Sequence, residues 1–155
     1  MTEAAPDPES FEIFLVGLPG LEGVLLDEAL ALGFAQAKAV AGGVSFRGDW
    51  AAVQRANLSI RGASRVLARI AEFRALHLAQ LDKRSRKVEW AKFLRPDVSV
   101  SVEASAKRSR IYHTGAIRQR IEGAIRDSLG CPLGQDEAGL VVRVRMDNDL
   151  SLIHI

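Results

Sequence analysis

Two stretches of basic side chains hold the chemistry that this sequence offers. The first, Lys83-Arg84-Ser85-Arg86-Lys87, sets four cations within five residues, close to Trp90. The second sets Lys107, Arg108 and Arg110 just before Tyr112, His113 and Thr114, with Arg118 one helical turn on and Arg120 on a neighbouring azimuth. Guanidinium and ammonium groups bind phosphate oxygens, an aromatic ring can stack on an unpaired base, and the free N–H groups of a helix start attract anions. Taken singly, each stretch is better explained as a solvated loop that keeps the protein soluble. Two of the same sign flanking one strand favour polyanion binding instead.

The charge distribution along the 155 residues points the same way. The net charge is only +2, but residues 1–46 hold one base and seven acids, residues 47–126 hold 18 bases and seven acids, and residues 127–155 hold two bases and five acids. A positive block between two acidic ones can build a field of one sign on one face. Apolar residues make up 48% and charged residues 26%, a soluble globular balance that excludes a wholly disordered chain. No apolar run reaches the ~20 residues of a membrane span. The start of the chain has no basic n-region and no apolar h-region, so it is not a secretory signal. The lone Cys131 cannot form an internal disulfide, which suits a reducing compartment; the expectation is a cytoplasmic protein with no membrane partner.

Other chemistries find little support. His77, His113 and His154 have no metal-ligand spacing, so neither a metal nor a catalytic site is expected. Cys131 has no neighbouring base or cation to make it a nucleophile and reads as a small packed residue. The carboxylate pairs Asp27-Glu28, Asp136-Glu137 and Asp147 with Asp149 lie in polar settings that would not split their pKa values for acid–base work. Gly17-Leu18-Pro19-Gly20-Leu21-Glu22-Gly23 is glycine-rich, but Pro19 removes an amide donor and no Gly-Lys-Ser/Thr follows, so it reads as a strand-to-helix turn rather than a nucleotide loop.

The elements that must position the cations follow from periodicity. Residues 1–10, with Pro6 and Pro8, read as a disordered tail. Phe11 to Val16 is a strand, and Leu21, Val24, Leu25, Glu28, Ala29 and Leu32 mark a helix stopped by Gly33. Ala37 to Ala41 and Val44 to Phe46 form a hairpin about Gly42-Gly43. Asp49 caps a second helix with Trp50, Val53 and Leu58 toward the core. Arg65 to Phe73 fits helix or strand equally; the preceding β-α-β-β-α order selects a strand that closes a ferredoxin-like split βαβ unit over residues 11–74. Beyond it, residues 76–81 and 88–94 look like short helices around the first basic stretch. Val98 to Val102 alternates as a strand. Thr114 caps a helix whose buried face is Ile117, Ile121, Ala124, Ile125 and Leu129 and whose stop is Gly130. Leu140 to Arg145 alternates as another strand. The fold class is α+β, with a second small α/β layer over residues 75–155.

Several of these segments resemble a known family. Pro19-Gly20-Leu21-Glu22, Leu32-Gly33, Gly42-Gly43-Val44-Ser45-Phe46-Arg47-Gly48, Asn57-Leu58 and Arg61-Gly62-Ala63-Ser64-Arg65-Val66-Leu67 resemble the N-terminal region of bacterial THUMP-domain rRNA methyltransferases. Ser109-Arg110-Ile111-Tyr112-His113-Thr114-Gly115-Ala116, with Arg120 and Ala124-Ile125, is similar to the THUMP helix of the same family. The resemblance covers residues 11 to about 149. It implies a ferredoxin-like subdomain followed by a THUMP RNA-binding layer, and a parent enzyme that methylates guanine N2 of 23S-type rRNA with S-adenosylmethionine. The glycine-rich cofactor loop and Asn-Pro-Pro-type motif of the family's catalytic domain do not occur in this sequence, so no cofactor is expected here and the methyltransferase domain is an expected partner in cis. Where the family continues into an Asp-Ser-Gly-like turn, this chain reads Asp147-Asn148-Asp149-Leu150 and ends at Ile155. That departure reads as a truncated THUMP layer whose residues 151–155 are either foreign to the natural protein or an authentic packing strand.

The expected function is therefore RNA binding, with Lys83, Arg84, Arg86, Lys87, Lys107, Arg108, Arg110 and Arg118 on phosphates and Tyr112 and His113 on an exposed base or sugar. A stand-alone adaptor that delivers RNA to a separate enzyme is the alternative. A small-molecule regulatory domain using Gly17 to Gly23 as a ligand turn is a weaker one, since it leaves the basic block unexplained.

Overall fold

The computed structural model describes residues 10–134 and 139–155. The expected tail, apart from Ser10, and the Asp136-Glu137 pair lie outside the described residues. The chain divides into two compact units, one ending at Arg69 and one running from Ile70 to Ile155.

The first unit follows the order β1 (Phe11–Val16), α1 (Glu22–Ala31), β2 (Lys38–Val40), β3 (Gly43–Gly48), α2 (Trp50–Ser59) and the start of β4 (Arg65–Arg74). Strand β1 pairs antiparallel with β3 on one side (Ile13 opposite Phe46, Leu15 opposite Val44) and with β4 on the other (Ile13 opposite Ala68), and β2 extends the sheet beyond β3. The sheet order β2-β3-β1-β4 is that of a ferredoxin-like unit. Alternation puts Ile13, Leu15, Val44 and Phe46 on the buried face, where they meet Leu25 and Ala29 of α1 and Ala56 of α2. The Asp49 carboxylate accepts the Ala52 N–H at 2.8 Å and so caps α2 as its residue type requires.

Three expectations are corrected here. Leu58 is 89% exposed and Trp50 is 43% exposed, its ring set tilted against Phe11 with centroids 4.8 Å apart; the stripe that α2 buries is Ala52, Val53 and Ala56. On α1, Leu21 and Val24 likewise face solvent while Leu25 and Ala29 are buried. The hairpin turn is Ala41-Gly42, and only Gly42 has the left-handed φ of +85°. Gly43 lies in β3 for another reason: a Cβ there would stand 1.8 Å from the Leu15 carbonyl oxygen, so only a glycine lets β1 and β3 approach.

The second unit holds the rest of β4, α3 (Leu78–Ser85), a 3-10 turn at Trp90–Lys92, β5 (Val100–Lys107), α4 (Thr114–Leu129), β6 (Leu140–Asp147) and β7 (Leu150–His154). Strand β5 runs parallel to β6, joined through α4, and β6 turns back antiparallel into β7. Val100, Val102, Val142, Val144, Met146 and Ile153 face Ile117, Ile121 and Ile125 of α4, with Leu81, Trp90 and Leu94 closing the core. Trp90 is 1% exposed, and its indole N–H donates to the Ser85 carbonyl at 3.0 Å. Gly130 ends α4 in the left-handed conformation, φ +67°.

Two details differ from the expectations for this half, and a third falls on one of the two alternatives for residues 151–155. The first basic stretch is not a loop between helices: α3 runs through Ser85, so Lys83 and Arg84 occupy its last turn. The segment after it is only a 3-10 turn. Residues 151–155 do not trail off, because Leu150 to His154 pairs with β6, burying Ser151 and Ile153.

Candidate nucleic-acid interface

The second basic stretch is held in place by a hairpin turn 40 residues away. Asn148 and Asp149 link β6 to β7 as a two-residue turn with φ of 50° and 62°, the left-handed pair that Asn and Asp tolerate. Asp149 Oδ1 accepts the Arg110 N–H at 2.7 Å, and the Asp149 N–H donates to Ser109 Oγ at 3.0 Å. The Asn148 N–H donates to the Lys107 carbonyl at 3.3 Å. Asp147 pairs with Arg108 at 3.3 Å and Arg145 at 3.2 Å. Ile111, 5% exposed, pins the loop to the core while Tyr112 and His113 on its far side are exposed. Their rings lie 4.3 Å apart, and Tyr112 is 68% exposed.

Helix α4 starts from this loop. His113 rather than Thr114 occupies the N-cap position, and no side chain caps the first turn; Thr114 is already helical. The first amides of a 16-residue helix are thus left without a side-chain cap directly after the cationic loop, at the helix end that favours negative charge. Arg118 stands one turn on, 3.6 Å from Glu122.

The first stretch splits. Arg84 donates a hydrogen bond to the Arg74 carbonyl; the next residue, Ala75, donates its N–H to the Asp149 carbonyl at 2.9 Å, and Asp149 holds Arg110. Arg84 is thereby drawn to the second stretch. Arg86 goes elsewhere: it pairs with Asp82 at 3.1 Å and with Asp127, in the last turn of α4, at 2.6 Å. Thr114 and Asp127 are about 20 Å apart at 1.5 Å of rise per residue, so Arg86 clamps α3 to the opposite end of α4. These pairs hold the Asp127 carboxyl below the usual carboxylate range, through the Arg86 hydrogen bond first. Lys83 and Lys87 are exposed and have no ion pair among the described residues, as does Lys107.

Around the hairpin turn Arg108, Arg110 and Arg145 pair with the carboxylates of Asp147 and Asp149, the Lys107 backbone is bonded to the turn, and Arg84 reaches the Arg74 carbonyl beside it. Sequence reasoning missed Arg145, for which the signal was the outward alternation of β6.

The glycine-rich turn offers no ligand site. Glu22 Oε2 accepts the Gly20 N–H at 2.8 Å, its Oε1 accepts the Gly42 N–H at 3.2 Å, and Gly17 N–H donates to the Gly42 carbonyl at 2.9 Å. The amides that would cradle a phosphate or cofactor are spent on the fold, and hydrogen bonds from Glu22's own backbone N–H first, then from Gly42 and Gly20, hold the Glu22 carboxyl below its usual range. Cys131 is 3% exposed, and burial pushes its thiol up, away from reactivity. Among the described residues no group of His, Cys, Asp or Glu could hold a metal ion, and no helix is long and apolar enough to cross a membrane.

The two units define a class: a ferredoxin-like domain followed by a THUMP-like α/β region. Residues 12–67 match the family of RlmL ferredoxin-like domains. The chain is similar to the ribosomal RNA large subunit methyltransferase K/L of Syntrophotalea carbinolica, 34% identical over 116 residues that cover 75% of this chain and 16% of that protein. It is 28% identical over 127 residues to the putative RNA methyltransferase slr0064 of Synechocystis, covering 79% of this chain and 33% of that one. A crystal structure described as a predicted N6-adenine-specific DNA methylase from Listeria monocytogenes superposes with a TM-score of 0.83 at 25% identity, over 94% of this chain and 40% of its own. The chain thus spans a third or less of those two curated relatives. It matches the ferredoxin-like N-terminal domain plus THUMP-like region of rRNA methyltransferases of the K/L type.

Proposed function

We propose that this chain is the RNA-binding region of an S-adenosylmethionine-dependent rRNA guanine-N2 methyltransferase, acting in the cytoplasm and positioning 23S-type rRNA for a catalytic domain in cis. Residues 11–74 serve as its ferredoxin-like part and 75–155 as the part that grips RNA. The observation that carries the reading is the cationic edge around the β6–β7 turn. Lys107, Arg108, Arg110 and Arg84 take phosphate oxygens, Tyr112 and His113 lie against an exposed base or sugar, and Arg118 extends the track along α4. Such contacts orient a structured RNA more than they read its sequence. Lys83 and Lys87 add a weaker attraction, and Arg86 chiefly holds α3 on α4. The methyl donor, when bound by the catalytic domain, supplies an activated methyl group; the residues of this chain hold and orient the acceptor RNA. Filter binding of the chain to an rRNA hairpin tests this. Affinity that is clear at low salt and falls steeply as salt rises is expected; no affinity at low salt overturns the reading.

A further inference from the structure

We infer that the groove between β5 and the first two turns of α4 seats one unpaired RNA nucleotide, whose base is read by the backbone of β5. The inference rests on the RNA-binding reading above and goes beyond it by naming the feature of the RNA that is engaged. The groove has a volume of about 320 Å³ and is lined by Val102, Glu103, Ala104, Thr114, Gly115 and Arg118.

Strand β5 pairs with β6 on one side only. The carbonyls of Ser99 and Lys107 accept from Leu140 (2.9 Å) and Asn148 (3.3 Å), so odd-numbered residues turn their amides toward β6. Even-numbered residues turn theirs outward. Val100 shows this, donating to the Pro132 carbonyl at 2.9 Å and accepting from the Gly134 N–H at 3.1 Å. Past it, the same alternation turns the N–H and C=O of Ala104 away from β6, on the side where Ala104 lines the groove. An outward N–H beside an outward C=O presents a donor and an acceptor side by side, as the hydrogen-bonding edge of a base does, and can pair with it.

The walls suit a flat ring. Ala104 and Gly115 are the smallest residues available, and nothing lies within 4 Å of where a Cβ on Gly115 would stand. Arg118, held at 3.6 Å by Glu122, brings a guanidinium plane to stack on the base. The one carboxylate on the groove, Glu103, is engaged by Arg143 at 3.3 Å. Lys107 and Arg108 continue the line of the strand and can take the flanking phosphates. An extended peptide added to β5 would satisfy the same amides but would leave these cations without a role.

The test uses the whole chain and three RNA hairpins: one blunt, one with a short single-stranded tail, and one whose tail keeps its phosphates but lacks bases. The tailed hairpin should bind roughly tenfold tighter than the base-less one, the size of one stacked base. Gly115→Leu fills the groove at a position where a helix welcomes a side chain. It should abolish that tenfold difference while the protein melts like the wild type. Equal binding of the tailed and base-less hairpins, or a difference that survives Gly115→Leu, overturns the nucleotide seat and leaves the cationic edge standing; in that event β-strand addition by a peptide becomes the reading of the open edge. Failure of all three hairpins to bind overturns the RNA-binding reading itself.

Discussion

Neutralising Lys107, Arg108 and Arg110 together by glutamine should change the salt dependence of RNA binding by a calculable amount. Each phosphate contact on single-stranded RNA contributes about 0.7 to the slope of log affinity against log salt, so losing three contacts should flatten the slope by about 2. Across a fourfold rise in salt each contact costs a factor of about 2.6, and three cost about twentyfold. The wild type should therefore lose about twentyfold more affinity than the variant over that range. Arg108 and Arg110 can be spared for phosphate because their pairs with Asp147 and Asp149 are half-exposed and of the kind worth at most about 1 kcal/mol. The Arg110 N–H, which carries the structural bond to Asp149, survives the substitution. Filter binding at four salt concentrations, with a thermal melt of each protein, measures both quantities. Lys38→Gln with Arg47→Gln, in the first unit, is a control for loss of positive charge and should leave the slope unchanged. A triple variant that melts like the wild type and keeps the full slope would refute the placement of RNA on this edge.

Other perturbations follow from the same geometry. Gly43→Ala drives a methyl into the Leu15 carbonyl and should cost about 3 kcal/mol or more in urea unfolding, whereas Gly42→Ala, which only strains a left-handed φ, should cost about 1 kcal/mol. Asp149→Asn keeps a residue that tolerates the turn but removes a carboxylate that competes with phosphate, so low-salt RNA affinity should rise in a filter-binding titration. Glu22 has a folded-state pKa below its unfolded one, so its stabilising contribution is complete above the ordinary glutamate range and is lost as pH falls through the folded value. Urea melts of Glu22→Gln against wild type should show a stability gap at neutral pH that closes in acid.

Much of the fold was legible because local signals agreed with one another. Asp49 before an apolar-periodic segment, Gly130 after one, and the alternation in β1 and β6 each express a preference that the tertiary structure did not have to override. The choice of strand for Arg65 to Phe73 came from topology, since periodicity alone allowed either form. What stayed hidden depended on which face a partner covers. Leu58 carries the composition of a core residue, but its azimuth on α2 is about 200° from the buried Ala56. The cations were visible as types and spacing, yet their convergence was not. Arg84 and Arg86 are two residues apart and lie some 200° apart around a helical axis, and long-range partners, Arg74 and Asp127, decide where each goes.

The most direct test maps the surface that RNA touches. Backbone amide NMR shifts of the 155-residue chain, followed during titration with an rRNA hairpin at low salt, should move most at Lys107 to Arg118, at Arg84 and at the Asn148-Asp149 turn. Shifts confined to α1 and α2, or centred on Arg86 and Lys87 at the far end of α4, would contradict the assignment of this edge as the RNA-binding surface.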